Sequence, residues 1–294
     1  MKTAPKLLLA AYVLGAAAAQ GNTIFQDNFS TQGTHLDYGS WTTEIGFGSQ
    51  VGRTQLTDWV TPGGGGQFVV GATGARLALD TFNPNFNPNS PTLFGTHAKT
   101  LQAYQPATGN DLSFTTRLQL TSLQPGLVYG MYLLGNNLDA IDIELVSNDL
   151  QPGGSPLVPL QVELNRFTTG SPETGDGGLA NLPLGFDPLI AHDWTINWSA
   201  GQINYLVDSV VLASVSTRIP QSALRANELI FGPSTNWAAA YSASLQPVTS
   251  AASDQSFNAL LTSVTISDSS VPEPSTWALA LLGLLFFVRR LRTS

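Results

Sequence analysis

Hydrophobic and polar positions along the chain fall into two kinds of pattern. Between residues 22 and 270 the apolar residues come in short runs, β-branched, aromatic or alternating, punctuated by Gly, Pro, Asn and Asp. At both ends they come in unbroken blocks. The middle pattern predicts strands at 68–70, 76–80, 112–120, 126–134, 140–146, 159–167, 194–198, 203–207, 210–215 and 260–266. Helical periodicity is nearly absent. Ten or more strands with no helix between them can bury their apolar faces only by packing as two sheets. The expected fold class is therefore all-β, a β-sandwich or jelly roll. Stretches 61–66, 83–91 and 151–158 are rich in Gly, Pro and Asn, and their lengths suit binding loops at the sandwich rim better than linkers. No repeat and no shift of composition divides 22–270, which is read as one domain.

The terminal blocks read differently. Lys2 and Lys6 precede an apolar run from Leu7 to Ala19 with small residues at Ala17 and Ala19, the layout of a removable signal peptide over 1–20. At the other end, Val271-Pro272-Glu273-Pro274-Ser275-Thr276 leads into Trp277 to Val288 without a charge, then Arg289, Arg290 and Arg292. Twelve apolar residues make a short hydrophobic helix of roughly 18 Å, less than the ~30 Å hydrocarbon core. The arginines favour the cytoplasmic side, and Pro272 and Pro274 keep earlier structure from running into the helix. This tail, 271–294, resembles the PEP-CTERM sorting signal, whose Val-Pro-Glu-Pro-Ser-Thr is matched residue for residue. The resemblance implies export from a bacterial cytoplasm to the cell envelope or beyond. It also implies tethering through 277–288, transient or stable, and processing by an exosortase in exopolysaccharide-making bacteria. A plain tail anchor is the alternative.

Charge changes the picture of the body. Residues 22–270 hold seven Lys and Arg against nineteen Asp and Glu, a balance of −12 that the basic tails mask as −8 for the whole chain. Such a surface argues against nucleic acid and anionic lipid as partners and suits a neutral polymer or a cation. Cysteine is absent, so stability must come from packing and not from disulfides.

The chemistry concentrates in Asp139-Ala140-Ile141-Asp142-Ile143-Glu144. In a strand, Ala140, Asp142 and Glu144 share one face and Ile141 and Ile143 the other, placing two carboxylates about 6.5–7 Å apart along the strand. Neighbouring carboxylates repel, which raises one pKa and makes a usable general acid. A solvated strand face or a pair of calcium ligands is the bland alternative.

This segment resembles the active strand of glycoside hydrolase family 16, the laminarinases and lichenases, whose pattern is Glu-Ile-Asp-Ile-Glu. The strand before it, 125–135, and the one after it, Val162-Glu163-Leu164-Asn165-Arg166-Phe167-Thr168-Thr169-Gly170, are similar to their family counterparts. So are His192-Asp193-Trp194-Thr195-Ile196-Asn197-Trp198, Ile203-Asn204-Tyr205-Leu206-Val207-Asp208, the opening from Phe25 to Phe29 with Trp41 to Gly46, and the late loop Trp237 to Pro247. The resemblance implies a concanavalin-A-like jelly roll with a carbohydrate cleft on its concave sheet. It also implies Glu144 as acid/base, Asp142 as auxiliary, and Asn165, Phe231, Trp237 and Tyr241 as substrate-binding residues.

The departure is at Ala140, where the family has its nucleophilic Glu. A retaining glycosidase needs that carboxylate, and alanine cannot attack an anomeric carbon. Asp139, one residue away, reaches the cleft only if a β-bulge re-aims it. In the strand before Gly232-Pro233 the family often has Asn and Trp; here an aromatic is kept at Phe231 and the polar contact becomes Leu229. Three readings stand: a glycan-binding protein with weak or no hydrolysis, an active β-glucanase with displaced chemistry, or a structural matrix protein. The partner implied is a polysaccharide, β-glucan or exopolysaccharide, and the state implied is a monomer. Trp59, Trp194, Trp198, Trp237 and Tyr241 are candidate sugar platforms, with Trp194 or Trp198 expected to turn inward.

The remaining signals are weaker. Cofactor and metal are expected to be absent, except for a structural calcium of the family to which Asp27 and Asp268 would contribute. His35, His97 and His192 show no metal spacing, and His192 is expected to make a structural hydrogen bond. Gly63 to Gly66 lacks the Lys-Ser/Thr and helix of a phosphate loop.

Overall fold

The computed structural model describes residues 21–29, 36–42, 50–57, 69–71, 73–85, 87, 92–150, 159–168, 177–232 and 245–270. The strands begin with β1 (Asn22–Asp27), β2 (Trp41–Thr42), β3 (Gln50–Val51), β4 (Thr54–Thr57), β5 (Val69–Gly71) and β6 (Gly74–Asp80). Next come β7 (Leu93–Thr100), β8 (Asn110–Leu120), β9 (Val128–Leu134), β10 (Ala140–Val146), β11 (Gln161–Phe167) and β12 (Gly178–Asn181). β13 (His192–Trp198), β14 (Ile203–Val207), β15 (Val210–Val215), β16 (Arg225–Phe231) and β17 (Ser256–Ser270) complete the set. One 3-10 turn, Ala251–Ser253, is the only helical element among the described residues.

The strands form a sandwich of two sheets. In the first, β8 lies between β17 and β13, β14 and β15 follow β13, and β17 takes β6 and β1 along its other edge. The second has the order β2-β7-β16-β9-β10-β11-β12, antiparallel throughout. Strand β7 belongs to both: its first half pairs with β4 and β6, and His97 to Lys99 pair with β16. Gly95 sits at that crossing because a Cβ there would run into the Ile230 carbonyl oxygen. On the far side the sheets part, leaving a cleft of about 430 Å³ between β11–β12 and β14–β15, lined by Leu164, Arg166, Tyr205, Ala213 and Val215 among others.

The core follows from alternation. Trp194, Ile196 and Trp198 of β13, Phe114 and Leu118 of β8 and Tyr205 of β14 meet Tyr129, Met131 and Leu133 of β9 and Ile141, Ile143 and Leu145 of β10. Each such side chain contributes about 1.5–3 kcal/mol by leaving water. Both Trp194 and Trp198 are therefore core residues, and the Trp198 indole donates to the Pro220 carbonyl at 3.1 Å. One carboxyl enters this apolar layer. Glu228, fully buried, points inward from β16 and accepts from Thr116 Oγ1 of the opposite sheet at 2.5 Å and from the Tyr129 hydroxyl.

The all-β expectation agrees with this architecture, and each of the ten predicted runs overlaps a strand. β1 to β4, β7, β12 and β16 are strands that periodicity does not predict. β7 and β16 are largely buried on both faces, so alternation is lost, and their His, Lys, Asn and Glu residues disguise them further. The loops 61–66 and 151–158, part of 83–91, the leader 1–20 and the tail 271–294 lie outside the described residues. Among the described residues no helix is long and apolar enough to cross a membrane.

Candidate functional site

β10 sorts its side chains as its sequence dictates. Ile141, Ile143 and Leu145 enter the core, so Ala140, Asp142 and Glu144 stand on the outer face of the second sheet. Register then fixes their neighbours. Tyr132 and Asn165 flank Asp142, Gly130 and Glu163 flank Glu144, and Leu134 and Phe167 flank Ala140. One strand further, Asn227 stands opposite Tyr132 and Leu229 opposite Gly130. Beyond these lie Lys99 and His97 of β7.

The two carboxyls differ in company. Glu144 accepts from the Tyr132 hydroxyl at Oε1 and from the Asn165 amide at Oε2, 3.4 Å away. Tyr132 reaches it by leaning along its strand over Gly130, where any Cβ would collide with the ring. Asp142 is only 1% exposed, and neither of its carboxylate oxygens has a hydrogen-bond partner. The Asn165 amide lies near enough to draw the Asp142 pKa down, yet its hydrogen bond goes to Glu144. Arg166 turns away and donates to the Thr217 carbonyl and hydroxyl.

Burial sets the proton affinities. It pushes Asp142 up to about 7 against the opposing pull of Asn165. It lifts Glu144 well above the usual carboxylate range, and the Asp142 charge adds to that lift. Glu163, half-buried, is also raised, first by burial and then by Asp149. Two buried carboxyls this close titrate as a pair, and burial with mutual repulsion keeps a proton between them well above the usual carboxylate range. Asn165, Glu163 and Phe167 are part-exposed, so the site opens to solvent on the β11 side.

The other residues singled out in the sequence fall as follows. Asp139 precedes β10, is 6% exposed, and accepts from Ser222 Oγ at 2.8 Å. Its approach is set by Leu138 in the left-handed region, φ 67°. Phe231 and Leu229 are buried in an apolar cluster with Leu56, Val128, Tyr132 and Val146. Trp59, Trp237 and Tyr241 lie outside the described residues. His192 makes the structural contacts expected of it, with its ring nitrogens at 2.6 Å from Asp208 Oδ2 and 2.7 Å from the Asp187 carbonyl.

Asp27 and Asp268 do not converge on a common ion. They pair with Val264 and Asn22 at opposite ends of β1, about 13 Å apart at a strand's rise. Both Asp27 oxygens are already engaged, by the Phe29 amide and the Trp41 indole, each at 2.7 Å. Among the described residues no group of three metal-ligating side chains gathers elsewhere.

Sequence reasoning missed Asn227. The polar contact is replaced at Leu229, but alternation places Asn227, two residues earlier, on the same outer face. There it accepts from His97 Nε2 at 2.9 Å and donates to the Arg225 carbonyl at 2.7 Å. Burial lowers the His97 pKa to about 4, so the ring is neutral and Nε2 carries its proton.

What this face can do is bind hydroxyls and amides and move one proton. It holds an acid at Glu144, a carboxylate with open acceptors at Asp142, a part-exposed amide at Asn165, and no side chain at 140 that can form a covalent bond to sugar.

Proteins of known structure share this fold. A lichenase (β-1,3-1,4-glucanase) from a mouse hindgut metagenome superposes with TM-score 0.60 at 17% identity, covering 83% of this chain and 98% of its own. The endo-β-1,3-glucanase of Pyrococcus furiosus gives 0.62 at 16%, covering 85% and 94%. The Crh5 transglycosylase in complex with NAG gives 0.52 at 17%, covering 86% and 87%. At these identities the likeness is one of fold. No curated protein gives a significant match. The PEP-CTERM protein-sorting motif matches residues 270–292, which implies export and association with the cell surface or membrane. The profile of glycosyl hydrolases family 16 matches residues 64–244, more than half of the chain, so this exported jelly roll belongs to that family and its work concerns polysaccharide.

Proposed function

We propose that the protein binds a polysaccharide along the outer face of β9, β10 and β11 and hydrolyses β-glucan weakly or not at all. The observation that carries this reading is Ala140. It sits on the same face as Asp142 and Glu144, where a retaining mechanism requires a carboxylate ~5–5.5 Å from the acid. Glu144 keeps the donors and the raised pKa of an acid/base, and Asn165 stands beside it as a sugar-binding amide. The solved structures of like fold are named for acting on β-glucans or for holding NAG, which favours a β-linked glucan or exopolysaccharide as partner. A displaced nucleophile at Asp139 is disfavoured, because Ser222 engages that carboxylate at the strand's entry.

The domain extends over 22–270 and acts as a monomer. The tail 271–294 pauses in the membrane through 277–288 until an exosortase processes it, after removal of the leader 1–20. Affinity electrophoresis through β-1,3- and β-1,4-linked glucans tests the reading. Retardation with little release of reducing sugar is expected. Ordinary family rates would sink the claim of lost turnover, and unretarded migration on every glycan would favour a purely structural matrix role.

A further inference from the structure

A glycosidase without its own nucleophile can use one carried by the substrate, the carbonyl oxygen of a 2-acetamido group attacking the neighbouring C1. That chemistry needs room where the protein nucleophile would stand, a carboxylate facing the amide N–H, and an acid for the leaving oxygen. Three adjacent rows across β9, β10 and β11 bear on this: Ala140 puts only a methyl where the protein nucleophile would stand, Asp142 is the carboxylate and Glu144 the acid. The row Leu134, Ala140 and Phe167 is apolar, and the next row, Tyr132, Asp142 and Asn165, is polar. An acetamido group has the same two-sided character, a methyl beside an N–H.

Resting on the sugar-binding reading above, we propose that the site takes a β-linked polysaccharide containing 2-acetamido-2-deoxy sugars and cleaves it with the sugar's own acetamido oxygen as nucleophile. The acetyl methyl lies on Ala140 and its apolar neighbours, the N–H donates to Asp142, and Glu144 serves the leaving group. Asp142 is the residue that carries the argument. It is almost fully buried, yet both its oxygens lack a hydrogen-bond partner. An unsatisfied buried acceptor costs about 1–3 kcal/mol, more when charged, so the position makes sense where a donor arrives with the ligand.

In the first step the carbonyl oxygen bonds to C1, the glycosidic C1–O bond breaks, and the leaving oxygen takes the Glu144 proton. The product is a cyclic oxazolinium ion whose positive charge and N–H face the Asp142 carboxylate. In the second step water gives a proton to the Glu144 carboxylate while its oxygen bonds to C1. The ring opens and the acetamido group is restored. Net, one water is added across the bond with retention at C1. The step starts with Glu144 protonated and Asp142 ionised, one proton held between two carboxyls that burial and mutual repulsion keep from ionising together.

The test uses the full chain, detergent-solubilised, with 4-methylumbelliferyl β-chitotrioside and the matching cellotrioside, together with the thiazoline analogue of N-acetylglucosamine as a binding probe. Fluorophore release from the chitotrioside alone, and competition by the thiazoline, are expected. Asp142→Asn should lower kcat by at least about 100-fold and weaken thiazoline binding, with an unchanged circular dichroism spectrum. Failure to cleave the chitotrioside, or equal cleavage of the cellotrioside, overturns this inference. If glucans are still retarded in gels, the sugar-binding reading survives that failure; if no glycan of either kind is bound, both fall.

Discussion

Glu228 and Asp142 are acids buried in the same sheet, two strands apart, and a tyrosine accompanies the carboxyls in both neighbourhoods. Glu228 faces inward, where Thr116 and Tyr129 occupy its two oxygens, and burial pushes it up to about 8. Asp142 faces outward with neither oxygen engaged, while Tyr132 spends its hydroxyl on Glu144. Burial and a raised pKa are common to the two, so neither marks a site. What separates them is satisfaction of hydrogen bonds. The inner acid is complete and joins the sheets; the outer one is incomplete and awaits a ligand.

The comparison can be broken most forcefully at the acid the outer face lacks. Ala140→Glu should raise β-glucan hydrolysis by on the order of 10⁴-fold or more, read as reducing-sugar release. No increase would mean that the outer face has drifted beyond that one position. On the inner face, Glu228→Ala strands two buried hydroxyls and should cost about 2–5 kcal/mol in denaturant unfolding. Asp142→Ala removes a group without partners and should cost under about 1 kcal/mol beyond the small cavity it leaves. Equal losses would erase the distinction drawn between them.

The pH dependence of stability sharpens the point. Glu228 has a folded pKa above its unfolded one, so its contribution is fully present below about pH 4.5 and is lost as pH rises toward about 8. Within that window such a group changes stability by about 1.4 kcal/mol per pH unit. Glu228→Gln should flatten the profile by that slope; an unchanged profile would mean that Glu228 does not hold its proton in the fold. The smallest expected effect on the site's function is at Gly130→Ala. Its methyl displaces the Tyr132 ring from Glu144 and should weaken glycan retardation several-fold, with an overpacking cost of about 1–3 kcal/mol in denaturant unfolding.

Much of this was legible in the residues. Alternation in 140–146 fixes which side chains enter the core, and the fold confirms it through Ile141 and Ile143. Trp194 and Trp198 look like sugar platforms only until their period is counted, and both are core. What stayed hidden depends on partners distant in sequence. Nothing in Arg225-Ala226-Asn227-Glu228 announces a strand, because its β-propensity is poor and its burial comes from both sides. Asn227 acquires its place from His97, 130 residues away, and the open acceptors of Asp142 appear only when every neighbour is known.

The shared strand β7 makes the sandwich a book with one bound edge. Its spine is stitched through Leu93 to Thr100, whereas the pages part at β12 and β15. Amide hydrogens near the spine, in β7 and β16, should exchange last and those of β11 and β12 first. Asn165 and Glu163 ride on the looser page. A glycan lying across β10 and β11 would therefore clamp the margin that otherwise breathes, and slowed exchange in β11 would report occupancy of the site even when no bond is cut.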